Sequence, residues 1–301
     1  MNDSNNPTFS ILVPFYNVQD YIAQCIDSLL AQTYENFEIL CVDDCGNDAS
    51  LKIVESYAQQ DSRIKIIKHE HNKGLGTARN TALKVAKGKY IACVDSDDFV
   101  EEEMLEKSFE IFDANPDLDS VWFKIMTYFQ NENKYDIHPW HKVLYNTKGG
   151  FIDLTPEIVM NYPPNAWNKI YKKDFIEKHN IKWSDGKLYE DLEFFCEFYF
   201  QSDRTYLIDD CLYNYRVRRG SIMNKSIIDN RRIEDIFDVT VNIYNYLKEH
   251  NIFEQTKKGF YKLVIRNVNF FIREPRYNER VKQAAKIMLE KINFKEEFPN
   301  G

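Results

Sequence analysis

YIACVDSDDFV, residues 90–100, sets a short apolar run directly against three carboxylates. Tyr90 to Val94 have the length and composition of a buried strand, bounded upstream by the turn-forming Lys87-Gly88-Lys89. Asp95, Asp97 and Asp98 follow at once, with only Ser96 between the first two. Like charges this close raise one another's pKa unless a cation or fixed dipoles hold them ionised. Two readings stand side by side. The acids belong to the first turn of a helix over 100–115, where they favour its dipole, or they receive a hard divalent cation. Such a cation takes one or two carboxylates and leaves coordination sites for substrate phosphates.

The same punctuation recurs upstream. FSILVPFYN (9–17), FEILCVDD (37–44) and RIKIIKHE (63–70) read as strands, and VQDYIAQCIDSLLAQ (18–32), SLKIVESYAQQ (50–60) and GTARNTALKVAKG (76–88) as helices. This alternation predicts right-handed βαβ units and an α/β fold with a mainly parallel sheet. Ligands of such sheets bind beyond the carboxyl ends of the strands. Tyr16-Asn17, Asp43-Asp44, His69 to Asn72 and Asp95 to Asp98 all sit at those ends, so one sheet edge collects nearly all the acidic candidates. Past residue 105 the alternation weakens. A strand is expected at 120–129, a polar connection to about 150, a Thr155-capped helix at 154–162 and a proline turn leading into a strand or helix at 162–176. A helix at 189–200, a strand at 204–221 and helices from about 225 complete the expectation.

The 44% hydrophobic and 29% charged fractions are those of an ordinary globular protein. No apolar run approaches the ~18 residues of a membrane-crossing helix, and MNDSNNPTF has no secretory-signal pattern. Cysteines 25, 41, 45, 93, 196 and 211 form no CxxC pair, so reduced cytosolic thiols are expected. The net charge of −8 argues against nucleic-acid binding. Residues 255–291 nevertheless carry ten Lys/Arg against three Glu. The helix expected there sets Lys258, Lys262, Arg266 and Arg273 near one face and Phe260, Val264, Val268 and Phe271 near another. That pattern suits packing on the rest of the protein, a homodimer, or an anionic membrane surface.

Four further segments carry polar groups that can do chemistry. In VDDCGNDAS (42–50) the carboxylate pair can meet a nucleobase or ribose, or Asp48 can simply cap the next helix. HNKGLGTARN (71–80) is a weak dinucleotide signal, because it follows the third strand and lacks the third small residue. Its Arg79 can reach an acidic partner or a phosphate. Glu190-Asp191 opens an aromatic helix, which keeps a carboxylate ionised either as a general base or as a capping acid. In YRVRRGSIMN (215–224), Arg216, Arg218, Arg219 and Ser221 form a phosphate clamp or a solvated turn.

Together, and in this order, these segments resemble the family 2 glycosyltransferases of GT-A fold. The matching pieces are FSILVPFYN, QTYENFEILCVDDCGNDAS, HNKGLGTARN, GKYIACVDSDDF, AWNKIYKKDFI, LYEDLEFF and YRVRRGSI, spanning about residues 8 to 222. The resemblance implies a Rossmann-like nucleotide-sugar half (1–105) and an acceptor half with the base (106–222), followed by a helical extension (223–301). It implies that Pro14, Tyr16 and Asn17 cradle the nucleoside, that Asp44 beside Asp43 bonds the base, and that Arg79 steadies the nucleotide pocket. Asp95 and Ser96 would face the sugar nucleotide. Asp97 would bind Mn2+ or Mg2+, with Asp95 and Asp98 sharing the role. Asp191 would be the base with Glu190 as companion, and Arg218 and Ser221 would close over the diphosphate. Cys45-Gly46-Asn47 replaces the commoner Gly-Ser-Thr at the same loop length, and the basic loop has no His. The implied reaction is inverting transfer of a hexose or N-acetylhexosamine from a UDP-sugar to a glycan or lipid-linked saccharide. Its usual setting is bacterial surface polysaccharide, capsule or lipo-oligosaccharide assembly, at the cytoplasmic face of the membrane. Two rivals are a phosphohydrolase, which needs its DxD after the first strand, and a non-catalytic sugar-nucleotide binder, which needs a missing carboxylate. Neither feature is present.

Overall fold

The computed structural model describes residues 6–202, 204–218, 234–272 and 278–299. Strands β1 (Phe9–Phe15), β2 (Phe37–Asp43), β3 (Ile64–Lys68) and β4 (Tyr90–Cys93) alternate with helices α1 (Ile22–Leu30), α2 (Ser50–Ala58) and α3 (Leu75–Val85). Every residue of β1, β2 and β4 is buried. Strands covered on both faces read as continuous apolar runs, as these do. β1 pairs in parallel with β2 and β4, and β2 with β3, so their carboxyl ends share one edge.

Helix α4 (Met104–Ala114) begins later than the sequence suggests, after a two-residue strand β5 (Phe99–Val100). Asp95 to Asp98 therefore form a separate turn, closed by the Asp98 N–H donating to Asp95 O at 2.9 Å. They are not the first turn of a helix.

The rest of the sheet is mixed. β6 (Ser120–Phe129), β7 (Lys134–Asp136), β8 (Gly150–Ile152), β9 (Lys169–Lys172) and β10 (Thr205–Val217) complete ten strands among the described residues, eight of them in the order β3-β2-β1-β4-β9-β6-β10-β5 with β7 and β8 off this path. β9 runs antiparallel between β4 and β6, whereas β6 and β10 are parallel. The expected polar connection thus contributes two edge pairings, β7 on β6 and β8 on β10, and a short helix α5 (Lys142–Asn146). The helix expected at 154–162 is one turn, α6 (Pro156–Val159), and Thr155 Oγ1 caps it by accepting from Ile158 N at 3.3 Å. The 162–176 segment resolves into both alternatives, β9 followed by α7 (Lys173–Lys178). Helix α8 (Glu190–Tyr199) stands as expected. Ser221 and Arg219 lie outside the described residues.

Among the described residues four helices follow: α9 (Glu234–Glu249), α10 (Phe253–Ile272), α11 (Asn278–Lys291) and α12 (Phe294–Glu297). The basic face of α10 meets α6. Lys262 pairs with Glu157 at 2.8 Å, and Arg266 donates to Met160 O at 3.0 Å. Packing on the rest of the chain is therefore the displayed use of that face, although Lys258 remains largely exposed. Among the described residues no helix is long and apolar enough to cross a membrane, and the six cysteines are free.

The α10–α6 contact is close enough to need a glycine. A Cβ on Gly259 would collide with the carbonyl of Pro156. Gly to Ala inside a helix ordinarily stabilises by up to ~1 kcal/mol. Here Gly259→Ala should instead destabilise by about 1–3 kcal/mol through overpacking, seen as a lower midpoint in urea unfolding. A raised midpoint would refute the contact.

Candidate functional site

The four parallel strands deliver their terminal loops to one edge, and these loops are tied to each other. After β1, Asn17 takes a left-handed conformation (φ 52°) and its Oδ1 accepts from Asn47 N at 2.8 Å. Cys45 is also left-handed (φ 61°), at the position where the family resemblance leads one to expect glycine. Asp43 accepts from Gly46 N at 3.1 Å. Asp44 is buried and fully engaged: Oδ1 meets His69 Nδ1 at 2.7 Å and Lys73 N at 2.8 Å, and Oδ2 accepts from Gly74 N at 2.9 Å. The carboxylate pair thus binds the loops after β2 and β3 together. Pro14 is buried, while Tyr16 stands 48% exposed at the rim.

The centre of the site is Arg79 on α3. Its side chain has no exposed surface, and it bonds three carboxylates from two elements. Nη2 donates to Asp95 Oδ1 at 2.8 Å, at the end of β4. Nη1 donates to Glu190 Oε1 at 3.0 Å and also to Asp191 Oδ1, both in the first turn of α8. Of the two partners the sequence allowed Arg79, an acid or a phosphate, the structure displays the acids, and the arginine meets the site only through them because its side chain has no exposed surface. Local packing makes this possible. A Cβ on Gly76 would meet Ser184 O and Glu190 Cβ, so only glycine lets the start of α3 approach α8 this closely. Tyr189, immediately before the acid pair, is left-handed (φ 64°), a strained state for a bulky residue and one concentrated at functional sites.

Burial pushes the Glu190 carboxyl up to about 8, with the charge of Asp191 adding to the effect. Asp191 is raised as well, by burial against the opposing pull of Arg79. Its side chain is nevertheless 20% exposed, and Oδ2 accepts from Ala166 N at 3.2 Å. Asp191 is thus a positioned carboxylate with an open side.

Asp97 and Asp98 point in different directions. Asp97 is 24% exposed, and both Nε and Nη2 of Arg218 lie 2.8 Å from its Oδ2. Burial raises the Asp97 carboxyl, and Arg218 counters it. Asp98, expected among the metal ligands, is turned inward: Oδ2 accepts from Tyr213 OH at 2.8 Å and Oδ1 from Arg216 N at 2.8 Å. Tyr213 OH in turn accepts from Asp95 N at 3.1 Å, so one phenol braces both ends of the turn. Ser96 is buried within it. Arg216 donates from Nε to Asp97 O at 2.6 Å and packs against the rings of Tyr21, Phe99 and Tyr128.

Among the described residues no three His, Cys, Asp or Glu side chains group to hold a metal on their own. A cation that relies on one or two carboxylates plus substrate phosphates does not need three. The donor chemistry fits such an ion: hard oxygens on Asp97 and Asp95, partly exposed, in surroundings where Asp97 already recruits a guanidinium as counter-charge. Sequence reasoning missed Tyr213, Arg216 as a brace, His69 as the partner of Asp44, and the Ala166 N–H. Only the alternation in LYNYRV, which sends Tyr213 and Tyr215 to one side and Asn214 and Arg216 to the other, held a signal for the first two.

An open α/β sheet whose strand ends gather a DxD turn and a helix-borne acid pair defines a GT-A glycosyltransferase. The sequence profile described as Glycosyl transferase family 2 matches residues 10–176, and the chain belongs to that family. It is 32% identical over 243 residues to the glycosyltransferase GlyG of Streptococcus pneumoniae serotype 4, covering 76% of this chain and 77% of that one. It is 29% identical over 264 residues to the poly(ribitol-phosphate) beta-glucosyltransferase of Bacillus spizizenii, covering 82% of this chain and 38% of that longer protein. The fold is that of residues 1–349 of S. aureus TarS in complex with UDP-GlcNAc, with TM-score 0.77 and 23% identity over 95% of this chain and 80% of that one.

Removing the central cation should expose the strain it neutralises. Arg79→Met leaves the acidic cluster of Asp95, Glu190 and Asp191 without its counter-charge and should cost about 3–5 kcal/mol at pH 7. Lowering the pH reduces the negative charge left unpaired, so the deficit against the wild type should shrink at pH 5. Equal deficits at both pH values in thermal unfolding would rule out the charge argument.

Proposed function

We propose that the protein is an inverting, metal-dependent glycosyltransferase. It moves a hexose or N-acetylhexosamine from a UDP-sugar to a hydroxyl of a glycan or lipid-linked saccharide during assembly of a bacterial surface polysaccharide. The observation that carries this reading is the single guanidinium that ties Asp191 to Asp95, fixing the candidate base and the DxD turn at one edge of the sheet. The kinship with a poly(ribitol-phosphate) beta-glucosyltransferase supports the surface-polymer setting. The UDP-GlcNAc held by TarS supports a UDP-linked donor.

In this reading Asp191 accepts the proton of the acceptor hydroxyl as that oxygen attacks the anomeric carbon. Attack from the face opposite the leaving group, with no carboxylate nucleophile intervening, inverts the configuration. Arg79 holds Asp191 in place, and Glu190 pairs with the same guanidinium. Asp97, with Asp95, would hold Mn2+ or Mg2+, which when bound neutralises negative charge on the departing nucleoside diphosphate. Arg218, already at Asp97, stands beside the expected diphosphate position.

A screen of UDP-sugars for slow hydrolysis, with Mn2+ and with EDTA, tests donor and metal without an acceptor. Hydrolysis should appear with a UDP-sugar and vanish in EDTA; activity that persists in EDTA would remove the cation. Asp191→Asn should lower turnover roughly 10²–10⁴-fold while calorimetric UDP affinity stays unchanged. Near-normal turnover would free Asp191 of its role. The raised Asp191 carboxyl also fixes a sign. The base must be ionised, so kcat/KM should fall as pH drops through a pKa above the ordinary carboxylate value of about 4. An acid limb at or below that value would contradict the environment described.

A further inference from the structure

The catalytic reading makes no use of one buried cation close to the base. Lys169 opens β9 and is 1% exposed. Its ammonium is 2.6 Å from Asn165 O, 2.7 Å from Asn168 Oδ1 and 3.3 Å from Pro163 O. An ammonium has three hydrogens and no acceptor capacity, and here it meets three oxygens of one turn. The rings of Trp122 and Phe195 lie 4.9 and 5.3 Å from it, a setting that favours a cation in an otherwise apolar space.

The peptide that Lys169 grips is the one that grips the base. In a trans peptide the C=O and the following N–H point to opposite edges of one plane. Asn165 O faces Lys169, so the N–H of the same plane, that of Ala166, faces away from it. That N–H donates to Asp191 Oδ2 at 3.2 Å. The two interactions are opposite ends of a single rigid unit. Tyr171 OH, donating to Ala166 O at 3.4 Å, and Asn168 Nδ2, donating to Phe123 O at 3.2 Å, pin the turn further along.

We infer that Lys169 is a positioning residue for transfer: it orients and polarises the Asn165–Ala166 peptide so that its N–H holds the open side of Asp191 in register with the acceptor hydroxyl. The inference rests on the reading of Asp191 as the base for its catalytic consequence, but not for its geometry. Burial pushes the Lys169 ammonium down to about 7, and the charge of Asp191 works to keep the proton on. Base and lysine therefore support each other's ionised forms across the peptide.

The sequence supplies a clean probe, because Asn165-Ala166 is its sole Asn–Ala step. The full chain labelled with 13C-carbonyl Asn and 15N-Ala gives one carbonyl-filtered amide resonance, that of Ala166. Asp191→Ala should move its proton upfield, reporting the lost hydrogen bond. Lys169→Met should move it in the same direction, while Lys178→Met, at an exposed position in α7, should leave it in place. A wild-type position for the resonance in folded Lys169→Met overturns the inference. If methionine at 169 does not fold, Lys169→Gln keeps N–H donors without charge and should give a smaller upfield shift; no shift there overturns it equally. With a UDP-sugar that the enzyme hydrolyses, Lys169→Met should lower kcat roughly 100-fold with the donor KM unchanged. A rise in KM with kcat retained counts against a role at the base. Should Asp191→Asn keep its turnover while Lys169→Met still shifts the resonance, the base assignment fails and the peptide-orienting role stands.

Discussion

A guanidinium with no access to water holds this site together. Isolated burial of such a charge costs many kcal/mol, and three neighbouring carboxylates would repel one another as strongly. Arg79 and its acids solve both problems at once, and they do so across the fold. The cation comes from α3, one acid from the end of β4, and two from the first turn of α8. The small residues of α3, with Gly76, Ala78 and Ala82 buried, let that helix lie close enough for the contact. Joining the first four strands to the later, mixed part of the sheet is thus an electrostatic matter as well as a matter of hydrogen-bonded strands.

A second charge balance lies beside the first. Asp97 and Asp98 share one turn but face different partners, Asp98 the phenol of Tyr213 and the backbone of β10, Asp97 the guanidinium of Arg218. Asp98 sets the turn and Asp97 is presented by it. A buried acid satisfied by donors from β10 gives the turn a fixed shape, from which the partly exposed Asp97 projects. This division of labour explains why three acids crowd the end of β4 although two would suffice for a cation.

The parallel half was legible because both of its signals are local. Continuous apolar runs mark strands covered on both faces, and acids at their ends mark the ligand edge. In the mixed half β6, α8 and β10 were legible too, but β9 was not, because it is four residues long and its placement between β4 and β6 follows from long-range pairing rather than from any period in NKIYKK. Within the site, the sequence pointed to Asp95, Asp97, Glu190 and Asp191 by charge and position. It could not separate Asp97 from Asp98, which differ only in which partners β10 brings to them. Arg79 illustrates the same limit: its residue type allowed a phosphate or an acid, and only the approach of α8 decides for the acids. Lys169 belongs to a segment that carries the family resemblance, but nothing in NKIYKK sets it apart from Lys172 and Lys173, since a buried lysine and a solvated one read alike in sequence.

The C-terminal helices, which lie beyond the segments carrying the family resemblance, join the same chain of contacts. Helix α10 grips α6 through Gly259, Lys262 and Arg266. From α6 the chain enters the proline turn at 163–164 directly, and that turn supplies the carbonyls on Lys169 and the N–H on Asp191. Contacts therefore run without a break from α10 through α6 and the turn to the peptide that meets the acid. The acid is fixed twice, at Oδ1 by Arg79 and at Oδ2 by the Ala166 N–H. Two anchors on opposite oxygens leave a carboxylate little freedom to rotate, and positional restraint of that kind is what a base acting on one particular hydroxyl requires.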